Sequence, residues 1–308
     1  GKNNLFCVTS RYPIMKYSAV LTIIIGLCLL SGCKGGQADV PVLSVSIEPQ
    51  RYLLERIAGP GWKVNTVLSK GADPENFDPA MSTLVRTAQS EVYFTIGAGA
   101  FEESLAERLA EASPGLRFSD SSAGVARLHG THNCGGAHSH VHGDDEGEGD
   151  ADPHIWTSVA NMKIVAANMA RVLCEIDSTQ ADVYMKNLHT LNLSLDSLDA
   201  CIQAMMAQGH GRAFMVEHPS LSYFAHDYGL EQIALGGEGK ELSASAIRHG
   251  IDHGRADGAT VFFTEPQSGS GRVGQIIKAL AGKEVSVNTL AYDWPDELMK
   301  IAEALTSR

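Results

Sequence analysis

Four short stretches of this chain carry side chains that hold metal ions. They are Gly71-Ala72-Asp73-Pro74-Glu75-Asn76-Phe77-Asp78-Pro79, Asp152-Pro153-His154-Ile155-Trp156, Glu217-His218-Pro219 and Leu290-Ala291-Tyr292-Asp293-Trp294. Imidazole nitrogen combined with carboxylate oxygen suits Zn²⁺, and Mn²⁺ when more oxygens join. Each stretch alone is weak evidence, because a His beside a Pro in a loop is ordinarily a capping or exposed residue. Several such loops in one chain change that weighing. A fifth region is denser still. His129, His132, His138, His140 and His142 are followed by Asp144, Asp145, Glu146, Glu148 and Asp150. Composition alone asks only for a low-complexity, solvated loop here. Imidazoles one residue apart nevertheless form weak, exchangeable metal sites at neutral pH.

The elements that must position these loops alternate. Residues 42–47, 63–68 and 92–96 read as strands, and 50–58, 82–89 and 101–112 as helices. Strands alternating with helices predict an α/β class with parallel sheets. After the His-rich region, residues 159–176 form a strongly periodic helix. A second runs from about Ser178 to Ala207, with Val183, Leu188, Leu191, Leu195, Leu198, Ile202 and Met205 on its apolar stripe. At about 1.5 Å per residue it spans on the order of 40 Å, the reach of a rigid strut between two lobes. Beyond it the alternation resumes, with strands at 213–216, 261–264 and 285–287 and helices at 221–228, 243–255, 274–280 and 297–305. The Glu217-His218 and Leu290–Trp294 loops each follow a strand. In open α/β sheets, ligands bind beyond the carboxyl ends of the strands.

Composition narrows the function. With 24 Lys+Arg against 36 Asp+Glu, a net charge of -12, the chain is a poor nucleic-acid binder. It suits a protein that handles cations. A catalytic zinc needs an open position and a general base nearby, but the chain has no His-Glu-x-x-His helix and no Gly-x-Ser-x-Gly elbow. Either Glu75 or Glu265 would have to be that base if a zinc hydrolase were read here. Residues 19–30 are apolar, too short to span a bilayer comfortably but suited to a signal core. We expect Met15 to be the start, with residues 1–14 an upstream extension. Among the remaining Cys, Cys174 and Cys201 fall in apolar helical patterns and are expected as buried thiols, not a bridge.

Leu30-Ser31-Gly32-Cys33 resembles the lipobox of bacterial lipoproteins, which implies cleavage before Cys33 and a lipid on it. The chain as a whole resembles the zinc/manganese solute-binding proteins of bacterial ABC transporters. The matching features are that lipobox, the Gly-x-Asp-Pro-x-x-Phe-x-Pro loop and the His/acid-rich stretch before Asp152-Pro153-His154-Ile155-Trp156. To these are added the long helix with Tyr184 and Asn187, Glu217-His218-Pro219 and Phe263-Thr264-Glu265-Pro266-Gln267. The resemblance implies two similar α/β lobes with parallel sheets, joined by a long backbone helix, with one metal in the interlobe cleft. Signal and extension would occupy 1–32, a lipidated tether 33–40, the first lobe 41–177, the linker helix 178–207 and the second lobe 208–308. His154 and His218 fall on family His ligands. Glu75 stands where the family usually has a His. The family's last ligand is usually an Asp ahead of a Leu; Asn288 aligns with it, and Asp293 in the same loop is the candidate substitute. Glu265 matches a family Glu beside the site. The implied function is extracytoplasmic capture of Zn²⁺ by a monomeric, membrane-anchored protein. It would deliver the ion to an ABC permease and its ATPase, with manganese or iron the alternative cargo. Zinc-handling members carry His-rich loops and manganese members usually lack them.

Overall fold

The computed structural model describes residues 40–307, apart from Glu75 and residues 130–150, 210–211, 237–243 and 267–281. The expected signal segment, Cys33, His132, His138, His140, His142 and the helix expected at 274–280 lie outside the described residues. Among those described, no helix is long and apolar enough to cross a membrane.

Two four-stranded sheets, all parallel, carry the fold. The first contains β1 (Val42–Val45), β2 (Lys63–Thr66), β3 (Val92–Thr95) and β4 (Arg117–Asp120) in the order β2-β1-β3-β4. The second contains β5 (Ala213–Val216), β6 (Glu231–Ala234), β7 (Val261–Thr264) and β8 (Lys283–Ser286) in the order β6-β5-β7-β8. The two sheets thus repeat one topology. In each, the order reverses between the first and third strands, the crevice where doubly wound sheets bind ligands. The inner strands β1, β3, β5 and β7 read as apolar runs because both faces are covered.

Polar groups at the carboxyl edge of the first sheet are tied down by buried side chains. Gln50 opens α1 (Glu48–Ala58); its Oε1 accepts from the N–H of Ser46 (2.9 Å) and Ile47 (3.1 Å), which ends β1 before residue 47. Its Nε2 donates to the carbonyls of Phe94 and Thr95 and to Ser121 Oγ. One amide therefore clamps three strand ends. Glu102, in α3 (Ala100–Ala112), accepts from the N–H groups of Ile96, Gly97 and Ala98 and fixes the loop after β3. Burial pushes its carboxyl up, and those donors oppose the shift. Helix α2 (Met81–Ala88) connects β2 to β3.

Helix α4 (Val159–Ile176) is capped by Ser158, whose Oγ accepts from Asn161 N–H at 3.1 Å. The strut, α5 (Ala181–Met206), buries Tyr184, Leu188, Leu191, Leu195 and Ile202, a narrow stripe packed on α4, α1 and α8 (Trp294–Thr306). At its start it is pinned to the first sheet's elements: Trp62 Nε1 donates to Tyr184 Oη (2.9 Å) and Asn187 Nδ2 to the Ile57 carbonyl (3.0 Å). Near its end, Asp199 accepts from Tyr228 Oη (2.8 Å), the last residue of α6 (Ser222–Tyr228). A strut anchored at one end to each lobe fits the sequence expectation. A single apolar core runs from Leu43 to Leu305, with a satellite of Met215, Ile233, Leu235 and Phe262 under α7 (Ala244–Ala256).

The thiols depart from expectation. Cys174 is half-buried and Cys201 is exposed, and both are free. The narrow stripe on α5 leaves Cys201 on the outer face, where an apolar pattern alone had placed it inside.

Candidate metal centre

The second sheet supplies its contribution at the switch point. His218 follows β5 and Glu265 follows β7, and these two strands are neighbours. Both residues line one small pocket together with Glu217, Phe263 and Val287. Glu265 is buried, and its Oε1 accepts from Thr289 Oγ1 at 2.7 Å. Glu217 directs a buried Oε2 into the protein with no hydrogen-bond partner among the described residues.

The first lobe supplies His154, in the tight turn between the His-rich region and α4. The residue is 4% exposed. Asp152 Oδ1 accepts from both the His154 backbone N–H (2.8 Å) and Nδ1 (2.8 Å). A carboxylate at Nδ1 selects the tautomer protonated there and turns the Nε2 lone pair outward. Burial alone would raise the Asp152 carboxyl, but the hydrogen bonds from His154 outweigh it and hold the group below its ordinary value. The ring packs edge-on to Trp156, centroids 5.2 Å apart, which limits its rotation.

The two imidazoles meet. His154 Nε2 lies 3.1 Å from His218 Nε2, with ring centroids 4.9 Å apart. Two nitrogens bound to one tetrahedral zinc at about 2.05 Å stand ~3.3 Å apart. Burial, with His154 adding to it, pushes the His218 imidazole down from 6.5 to about 4; Asp73 and Asp152 oppose the shift. The ring is therefore neutral at physiological pH, as a metal ligand must be.

The other sequence candidates are placed unequally. Glu75 lies outside the described residues. Its loop is held by Asn76 Nδ2 donating to Asp73 Oδ2 (2.7 Å) and by Phe77 stacked edge-on to Phe101 (5.5 Å). Asp73 was not among the sequence candidates, yet its charge acts on His218. The signal was present as an acid two residues before Glu75, but nothing in the spacing ranked it. Asn288 is committed locally: its Oδ1 accepts from Leu290 N–H, and its backbone N–H donates to Glu297. Asp293 is exposed at the N-cap of α8, and its neighbour Tyr292 points to Glu55 of α1. Among the described residues, no carboxylate stands within 4.8 Å of both facing nitrogens. The structure brings His154 and His218 together with Asp152 on the far nitrogen of His154; Asp73 acts on His218 through its charge, and Glu265 lines the same small pocket as His218.

The base of the His-rich region is closed. His129 and Ala151 form an antiparallel bridge, and Asp152 N–H donates to the Leu128 carbonyl at 2.8 Å. Tyr223 of α6 locks this stem from the second lobe. Its hydroxyl donates to the Asp152 carbonyl (2.8 Å) and accepts from Leu128 N–H (3.0 Å).

Comparison with known proteins agrees with this architecture. A Chlamydia muridarum protein named for an inferred metal-binding role is 28% identical over 188 residues, 61% of this chain and 62% of that protein. The zinc-binding lipoprotein AdcA of Streptococcus pneumoniae is 22% identical over 236 residues, 76% of this chain and 46% of its own. The chain thus spans less than two thirds of these curated relatives. A crystal structure of a ZnuA deletion mutant with zinc bound superposes with a TM-score of 0.76 at 30% identity, covering 88% of this chain and all of that one. The profile of zinc-uptake complex component A, periplasmic, matches residues 43–306, and the chain belongs to that family.

Proposed function

We propose that this protein captures Zn²⁺ outside the cytoplasm and delivers it to an ABC-type permease for uptake. The observation that carries the reading is the pair of imidazoles, one from each lobe, set Nε2 to Nε2 at 3.1 Å with Asp152 holding the His154 tautomer. Zn²⁺ entering between the nitrogens replaces the hydrogen that joins them. Asp73, Asp152 and Glu265 offset its charge. Glu75 is the candidate third ligand, and Glu265 fits the fourth position better than Asp293, because it lines the His218 pocket and Asp293 does not. Two imidazoles favour Zn²⁺ over Mn²⁺ by the usual affinity order. Since each lobe holds one imidazole, any motion that parts the lobes weakens the grip on the ion, which supplies a route to release. The chain acts as a binder, not a catalyst. A lipid on Cys33 would hold it at the membrane face. Residues 41–177 and 208–308 form the lobes and 178–207 the linker, and the His-rich stretch serves as an auxiliary collector.

The test is a competition titration of purified protein against a zinc chelator. Wild type is expected to hold one tight equivalent, which His154→Ala and His218→Ala each remove. Wild-type affinity in either variant overturns the assignment.

A further inference from the structure

A second cluster lies on the far side of the second sheet. Glu231 opens β6, His253 lies in the last turn of α7, and Asp257 follows that helix. His253 Nε2 is 2.9 Å from Asp257 Oδ2 and 3.3 Å from Glu231 Oε1, and one ligand atom from each residue lies within 4.8 Å of the other two. One nitrogen and one oxygen bound to a tetrahedral zinc stand ~3.4 Å apart, so both distances come close to the edge of such a site. His253 and Asp257 are one helical turn apart and share a face. The third group comes from a different element, so the convergence is tertiary. Gly250, one turn before His253 on α7, packs beside Leu235 just after β6: a Cβ there would meet Leu235 Cδ2 at 2.3 Å, so a larger residue would make that side chain shift. His249, one turn before His253 with ring centroids 6.4 Å away, offers another imidazole on that face.

We propose that Glu231, His253 and Asp257 form a divalent-cation site of one imidazole and two carboxylates, taking Zn²⁺ and clamping the end of α7 to β6. A borderline cation fits, because the set mixes nitrogen and oxygen. The ligand atoms are accessible, with side chains 37%, 51% and 35% exposed for His253, Glu231 and Asp257. The ion therefore exchanges with solvent and binds more weakly than one between His154 and His218. The site does not depend on the paired-histidine reading.

The experiment uses the full chain carrying His154→Ala and His218→Ala, so that the result stands apart from the buried pair. Hydrogen exchange is followed by mass spectrometry over residues 231–235 and 249–257, with and without Zn²⁺. Zinc is expected to slow exchange in both segments, and His253→Ala or Glu231→Gln to abolish the effect. Equilibrium dialysis should lose one zinc equivalent in each variant. Glu231 is half exposed, so Glu231→Gln leaves folding intact. No zinc-dependent protection, or protection that survives both substitutions, overturns the site and leaves the three residues as an ion pair only.

Discussion

The imidazole pair, with His154 buried and His218 half-buried, and the more open Glu231–His253–Asp257 cluster use similar side chains to different ends. The pair lies at the carboxyl edges of the sheets, with His154 4% exposed; the cluster lies at the amino edge of β6, with its groups a third to a half exposed. Burial removes the water that would compete for the nitrogens, and it holds His218 neutral down to about 4. The same burial makes an unmet charge costly, so the pair needs Asp152 to orient one ring and nearby acids to balance an incoming cation. The exposed cluster bears no such penalty and gains no such selectivity. Position relative to solvent, more than ligand identity, separates a committed acceptor from a weak one.

The largest effect expected is loss of tight zinc binding in His154→Ala or His218→Ala, beyond about 100-fold, because each removes a proposed direct ligand. A titration in which both variants kept their affinity would erase the contrast between the two regions. Asp152→Asn leaves the ligands in place but replaces the negative, acceptor-only carboxylate with a neutral amide that can also turn its NH2 toward Nδ1, so the tautomer is no longer fixed. Such outer partners cost roughly 10–100-fold in metal affinity, measured by the same competition. Glu75→His should widen the Zn²⁺/Mn²⁺ affinity ratio by replacing an oxygen with a nitrogen; an unchanged ratio would take residue 75 off the metal. In metal-free protein, proton NMR should show His218 titrating near pH 4. The folded ring then holds fewer protons than the unfolded one between 6.5 and 4, so acid weakens the fold across that window. Titration near 6.5 would mean the ring is solvated. Asp293→Ala is expected to change zinc affinity least, since that side chain is exposed at the α8 N-cap.

Much of this was legible in the chain itself. The inner strands are apolar runs such as Val42-Leu43 and Val261-Phe262-Phe263, buried on both faces, and they announced themselves. Two outer strands were read as well, β2 within the expected 63–68 and β8 overlapping the expected 285–287, but β4 and β6 were not. β4 is Arg117-Phe118-Ser119-Asp120, mostly exposed, and β6 begins on Glu231; neither has an apolar run, because an edge strand is covered less. The last helix starts at Trp294, three residues before its periodic stretch, because Pro295 suits a first helical turn. The two His ligand candidates were readable from their loops. Asp73 and the Glu231–His253–Asp257 group were not, because each depends on residues distant in sequence being brought together by packing.

Tyr223 spends its one hydroxyl as donor to residue 152 and acceptor from residue 128. The chain on either side of residues 130–150 is therefore already brought together by bonds that do not involve that stretch. Closing a longer connection between two joined ends costs only about 0.6 kcal/mol more for each doubling of its length. The stretch becomes a port: its length and content can be rewritten, by shortening or by splicing in a reporter domain, while His154 two residues past the gate keeps its place.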